Sequence, residues 1–448
     1  MIDNDTAALG EIPAVRTTTG TLTQQWYLVG VLTVIYVLNY IDRGALNLIV
    51  NPLKEDLHIT DVQVSLLIGL SFAALYSVLC IPAGYLSDVM SRKVLLGSAI
   101  CFWSCAATVC GFAGNYAQLF AGRVGLGVGE AVLPPTAYSL LRDGVRPQHR
   151  ARAFSCYHLG TGVGTALGAL IGGSLFALGV AGAFAGMPIL SGLRPWQLVI
   201  AVPGLCGIVI SYLVFTLREP PRPMAAGDSA SFGEMFRYVA DNRRLYAPLF
   251  LSIVFGPMAV SAWGAWQAAA IGRIWGLAVP EIGHTTGLLA LCALPFDALI
   301  IGFLMDRVSR GGTRRDRTIF LAIGIAALQL VPALMILYAP SIPLMWASYG
   351  ASMLLTNANG VAGTLSLAQV TPGRLMGKVT SFYFLIANLL GLALGPTVTA
   401  LVAEWFFTGK LAIVGAMTWC YPLLTGLNLL CLAIFASRLK HWQAAAAS

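Results

Sequence analysis

Long apolar runs separated by short polar stretches organise nearly the whole chain. A run of 18 or more apolar residues predicts a membrane-spanning helix. Twelve such segments can be drawn, at 26–50, 62–86, 94–113, 116–141, 152–179, 196–217, 244–272, 284–304, 317–338, 342–369, 376–404 and 411–437. The longest polar interruption, "REPPRPMAAGDSASFGEMFRYVADNR" at 218–243, divides them six and six. The pattern predicts an all-α integral membrane protein. Its parts are a tail over 1–25, a six-helix bundle over 26–217, a linker over 218–243, a second six-helix bundle over 244–437 and a tail over 438–448.

Composition removes most other classes. Of 448 residues, 57% are hydrophobic and 10% charged, with a mean hydropathy of +0.77, whereas soluble domains carry about 25% charged residues. The first 25 residues contain no apolar stretch that would make a cleaved signal peptide. Of the 27 lysines and arginines, 21 fall in loops on one side, four (Lys54, Arg194, Arg273, Lys410) on the other and two inside spans. Positive loops stay inside, so both termini are expected in the cytoplasm, with the protein in the inner membrane. The net charge of +8 is spread over these loops, which fits topology better than nucleic-acid binding. The nine cysteines sit in apolar runs without metal-ligand spacing. No metal or organic cofactor is expected, and nothing demands more than a monomer.

The halves repeat. "GYLSDVMSRK" (84–93) follows the second segment and "GFLMDRVSRG" (302–311) the eighth, 218 residues later. Duplication of a six-helix unit marks transporters built from two bundles around a central site. These stretches resemble the signature loop of the major facilitator superfamily, roughly G-x-L-x-D-R-x-G-R-[RK]. Gly84, Asp88 and Arg92 match it in the first copy, and Gly302, Asp306, Arg307 and Arg310 in the second; Val89 and Ser91 depart from it. The resemblance implies a cytoplasmic latch between the halves when the protein is open outward. "NYIDR" (39–43), "GRVGLGVGEA" (122–131) and "RPQHRARAFS" (146–155) look like the Spinster group of lipid-type transporters, including its bacterial members. Organic anion:cation symporters of the same superfamily have similar first and fourth helices.

The charges inside spans are the candidate chemistry, because an ionisable residue in the membrane is costly and by default functional. On the first helix Tyr36, Asn39, Tyr40 and Asn47 share a face with Arg43, and Asp42 lies one step round. On the fourth, Arg123 and Glu130 are seven apart and share a face, with Gly127 between them. Counted from the outer helix ends, Asp42 and Arg123 stand about 10–12 Å deep and Glu130 about 21 Å. A cluster of two acids and two bases is expected, its members keeping one another charged. Either it works, with an arginine taking an anionic substrate group and Glu130 or Asp42 a proton, or it is a static tie between helices. Glu130, the deeper carboxylate, is the better proton candidate. Asp297 and His158 are further embedded polar groups, each with a plain packing or cavity-facing alternative.

Glycines at 160, 164, 168 and 172 form a ridge suited to close helix packing. Ser252, Ser261, Trp263, Trp266 and Gln267, with Asn357, Asn359 and Thr364, offer a polar and aromatic wall for an amphiphile. No H-E-x-x-H stretch, metal cluster or nucleotide loop supports an enzyme, and the repeated loop argues against a channel. The expected function is secondary active transport by alternating access, proton-linked, of a lysolipid or sphingoid-phosphate type of substrate; a small organic anion carried with protons is the alternative.

Overall fold

The computed structural model describes residues 20–222, 231–309, 316–355, 366–367 and 370–447. Among them every regular element is helical. The first half comprises α1 (Leu22–Leu48), α2 (Val50–Leu57), α3 (Asp61–Ile68), α4 (Leu70–Val89), α5 (Arg92–Gly111), α6 (Tyr116–Glu130), α7 (Leu133–Gly144), α8 (Pro147–Val180) and α9 (Pro195–Ser211). A short helix, α10 (Phe232–Asp241), leads into α11 (Arg243–Trp275), α12 (Val279–Ser309), α13 (Asp316–Tyr338), α14 (Ile342–Met353), α15 (Gly373–Ile386), α16 (Ala393–Phe406) and α17 (Ala412–Ala447). A π-helical turn, Ala387–Leu392, joins α15 to α16.

Nine helical stretches among the described residues are long and apolar enough to cross a membrane. Three segments drawn from the sequence are not among them. The stretch 116–141 divides into α6 and α7, because Pro134 and Pro135 cannot donate to the helical ladder and their rings crowd the carbonyls one turn back. The stretch 284–304 lies within the continuous α12, and 342–369 runs beyond the described end of α14. Elsewhere small breaks replace smooth spans: Ile49 separates α1 from α2, and Gly69 separates α3 from α4.

Burial follows the two halves. One apolar cluster is built almost wholly from α1, α4, α5, α6, α7 and α8, around Trp103, Leu32 and Ile35. Another gathers Met235, Tyr246, Leu375 and Phe435 from α10, α11, α15 and α17. A third crosses between them at the end of the molecule that carries α2. Glycines set the crossings. A Cβ added at Gly164 would stand 2.5 Å from the Val37 carbonyl oxygen, and one at Gly168 3.1 Å from that of Ile41. The glycine ridge of α8 therefore seats α1 backbone to backbone.

Candidate functional site

The α8 ridge and one further glycine bring the charged residues together. A Cβ at Gly127 would lie 2.6 Å from the Phe72 carbonyl oxygen, so α6 presses on α4 midway between Arg123 and Glu130. Arg43 on α1 then reaches Glu130 on α6. Its Nε donates to Glu130 Oε2 at 2.8 Å and its Nη2 stands 2.7 Å from the same oxygen. The Glu130 side chain is fully buried, while that of Arg43 keeps 20% of its surface. The guanidinium lies 4.4 Å from the centre of Phe72, 5.0 Å from Tyr76 and 5.3 Å from Tyr40. These ring faces hold the cation without satisfying its hydrogen bonds. Asn39 is buried, and its Nδ2 and Glu130 Oε1 both lack hydrogen-bond partners.

Asp42 and Arg123 are placed differently. Arg123 is buried and donates from Nε to the Leu67 carbonyl at 3.3 Å. Asp42 is buried with Oδ2 unpartnered. The two line one cavity of about 10 Å³, with Cys110 and Ile200 opposite, roughly the room a single water molecule needs. No ion pair joins them among the described residues. The four charges thus divide into one tight pair, Arg43–Glu130, and one loose couple, Asp42–Arg123. Phe72 lies between them, 5.7 Å from the Arg123 guanidinium.

An aromatic wall extends from this pair. Tyr36 stacks on Tyr157 at 4.2 Å and meets Tyr40 edge-on at 5.1 Å. His158 shares a hydrogen bond of 3.1 Å with the Tyr138 hydroxyl and lies against Tyr36. Asn47, one turn beyond Arg43, has a buried and unpartnered Oδ1. Phe72, Tyr76, Tyr138 and Tyr157 escape sequence reasoning. The four-residue spacing of Phe72 and Tyr76 does place them on one face of α4, but only the α4–α6 crossing turns that face to Arg43. Trp263 and Trp266 form no open wall. Both are buried in the core, and Trp266 Nε1 donates to the Pro396 carbonyl at 3.1 Å. Asp297 belongs to α12, but its side chain lies outside the described residues, as do the side chains of Asp306 and Arg307; Gly302 is a helical position in the same stretch of α12. Arg310, Asn357, Asn359 and Thr364 lie outside them altogether.

The loop at 84–93 is tied to its own half. Gly84 packs against Pro135 on α7, and Asp88 is exposed. Arg92 is fully buried and donates to Asp143 at 2.6 Å, Ser139 at 3.0 Å, Glu219 at 3.2 Å and the Pro220 carbonyl at 2.5 Å. Arg222 holds the carbonyls of Ser87, Asp88 and Met90. Burial raises the Glu219 carboxyl, but the Ser91 hydroxyl and the Arg92 N–H and guanidinium outweigh it and hold it below the ordinary glutamate range. A depressed carboxyl stabilises above its unfolded pKa and loses that contribution as pH falls through the lower folded value. The clamp is therefore expected to hold at neutral pH and to release only at a pH below the ordinary glutamate range. Glu219→Gln should lower the thermal midpoint at pH 7 and remove this acid-dependent component, measured by melting curves from pH 3 to 7.

At the other end of the molecule the halves are joined. Arg273 on α11 makes a forked contact with Asp61 at the start of α3, at 2.8 and 3.2 Å, and donates to Asn51 Oδ1 at 2.9 Å. Asn51 Nδ2 donates back to the Ala269 carbonyl at 3.1 Å, and Lys54 stands 2.9 Å from Asp61. Ser65 Oγ donates to Thr397 at 3.3 Å, and His284 Nε2 meets Ser174 Oγ at 2.8 Å. A Cβ at Gly283 would stand 2.6 Å from the Ala169 carbonyl oxygen, so α12 and α8 touch along their backbones there.

Known proteins share this fold. A bacterial homologue of the human lysosomal transporter Spinster, solved in an inward-facing and unoccupied conformation, superposes with a TM-score of 0.76. It is 25% identical, and the match covers 94% of this chain and 97% of that one. An MFS-type efflux pump of Mycolicibacterium smegmatis is 23% identical over 387 residues, 85% of this chain and 84% of the pump. Protein spinster homolog 1 of Xenopus tropicalis is 32% identical over 198 residues, 44% of this chain and 35% of that protein. The profile of the Major Facilitator Superfamily matches residues 32–396. This multi-pass membrane transporter belongs to the Major Facilitator Superfamily.

Proposed function

We propose that the protein is a proton-linked secondary carrier of an anionic amphiphile of lysolipid or sphingoid-phosphate type, working by alternating access in the inner membrane. The observation that carries this reading is the Arg43–Glu130 pair: a fully buried carboxylate held by a guanidinium that stays one-fifth exposed on an aromatic wall. An anionic head can compete for Arg43 through the fifth of its side chain that stays exposed. Glu130 would then lose its counter-charge, and a buried carboxylate without one takes up a proton instead. Substrate and proton are thereby coupled through one side chain. Tyr36 and Tyr40, both half-buried, offer apolar faces with polar rims to the chain attached to the head group, and the buried Tyr157 backs Tyr36 from behind.

The joined α2–α3–α11 end, with Asp88 exposed at the opposite end, supports an inward-facing state in which the latch at 84–93 is released. The same site would serve a small organic anion, since the Arg43 contact is to charge alone. Flux into liposomes, with and without a pH gradient, decides the class. A gradient is expected to drive uphill lysolipid movement in the native protein, and Glu130→Gln to remove the stimulation. Unchanged rate and pH dependence in a folded Glu130→Gln protein would refute the proton role. Competition by small organic anions but not by lysolipids would move the substrate to the alternative. Binding retained by Arg43→Ala would remove that arginine from the head-group site.

A further inference from the structure

The helix α10 is not part of any span, yet it is strongly sided. With 100° per residue, Met235 and Tyr238 lie on one arc. Met235 is fully buried, among Leu245, Tyr246, Leu375 and Val379, and the Tyr238 hydroxyl donates to the Val370 carbonyl at 3.1 Å. That arc fixes the helix on the second half of the molecule. The neighbouring arc, Phe232 through Phe236, Ala240 and Gly233 to Arg237, is exposed throughout. Phe232 keeps 54% of its surface and Phe236 50%, although each also touches the protein, beside Lys378 and Phe382. Arg243 and Arg244 open α11 immediately afterwards and are likewise exposed. Neither they nor Arg237 forms an ion pair among the described residues. The one nearby pair consumes Glu234 on Arg374, which leaves Asp241 as the exposed acid of α10.

Aromatic residues at one edge and arginines at the other, on a helix anchored where a membrane span begins, match the layering of a bilayer surface. We propose that α10 lies on the membrane surface from which α11 rises, with Phe232 and Phe236 at the acyl boundary. Arg237, Arg243 and Arg244 stand in the head-group layer and select anionic lipid. The excess of positive charge fixes the partner: a zwitterionic surface offers the aromatics a place but the arginines no net attraction. Each arginine near an anionic surface contributes about a fivefold preference, so three acting together give on the order of 10²-fold.

Hydrogen exchange of the full-length protein in nanodiscs tests this. Amides of 232–241 are expected to exchange more slowly in discs containing phosphatidylglycerol than in phosphatidylcholine alone. The Arg237→Gln/Arg243→Gln/Arg244→Gln variant should lose that difference while α11 and α15 exchange as before, and the corresponding lysine variant should keep it. Phe232→Ser/Phe236→Ser should exchange faster in both kinds of disc. Equal exchange in the two lipids, or a glutamine variant that keeps the full difference, would overturn the proposal. So would slowing by inorganic phosphate in phosphatidylcholine discs, because a soluble anion would then be the partner.

Discussion

Arg43→Met is expected to cost the fold about 3–5 kcal/mol, because it leaves the fully buried Glu130 carboxylate without its counter-charge. Glu130→Gln should cost less, since Arg43 keeps 20% of its surface and three aromatic neighbours. The double variant Arg43→Met/Glu130→Gln should recover most of the loss, as buried ion pairs replaced together by neutral groups are often harmless. A thermodynamic cycle on detergent-solubilised protein would return a coupling of about 3 kcal/mol, at the upper end of what neighbouring residues show. Additive effects would show that the two side chains do not act as a pair. Transport separates stability from mechanism. The double variant is expected to be folded and inactive, which a purely structural tie between α1 and α6 would not produce.

Arg273→Ala should act on the opposite property, the balance between states. It removes the fork to Asp61 and the bond to Asn51, all of which join the first half to the second. The side chains of Arg273 and Asp61 are 12% and 17% exposed, so solvent screens part of the contact and about 1–2 kcal/mol is a fair magnitude. That corresponds to a shift of roughly 5- to 30-fold toward the state in which this end opens. Distances between labels on α3 and α11, measured by pulsed electron resonance, should show the added population, and Asp61→Asn should reproduce it. An unchanged distance distribution in both variants would mean that the apolar seam around Gly283 holds this end closed unaided.

The helical membrane fold was readable because apolar runs of this length have few other uses, and the embedded charges stood out because such residues are rare there. Depth estimates placed Asp42 level with Arg123 and Glu130 deeper, and the structure does put Asp42 and Arg123 on one cavity. The partner of Glu130 depended on a finer matter, the rotation of α1 against α6. That rotation comes from glycine contacts at Gly127, Gly164 and Gly168, which are visible as letters but not as crossings. Tyr138 and Tyr157 were hidden because aromatic residues are common in membrane helices. Asp61 and Arg273 were hidden for another reason. Separated by 212 positions, they sit at helix ends, where charges read only as markers of sidedness. The break between α6 and α7 was written in Pro134-Pro135, and the uninterrupted hydropathy around it masked the signal.

The contact of α1 with the α8 glycine ridge also bears on how motion in this protein can be observed. With Gly164 and Gly168 against the Val37 and Ile41 carbonyls, neither helix can slide without a backbone collision. A fluorophore pair spanning α1 and α8 is therefore expected to act as a fiducial, reading one constant separation while pairs placed across the two halves change. A change in the α1–α8 separation itself would show that the glycine contacts do not lock the two helices together.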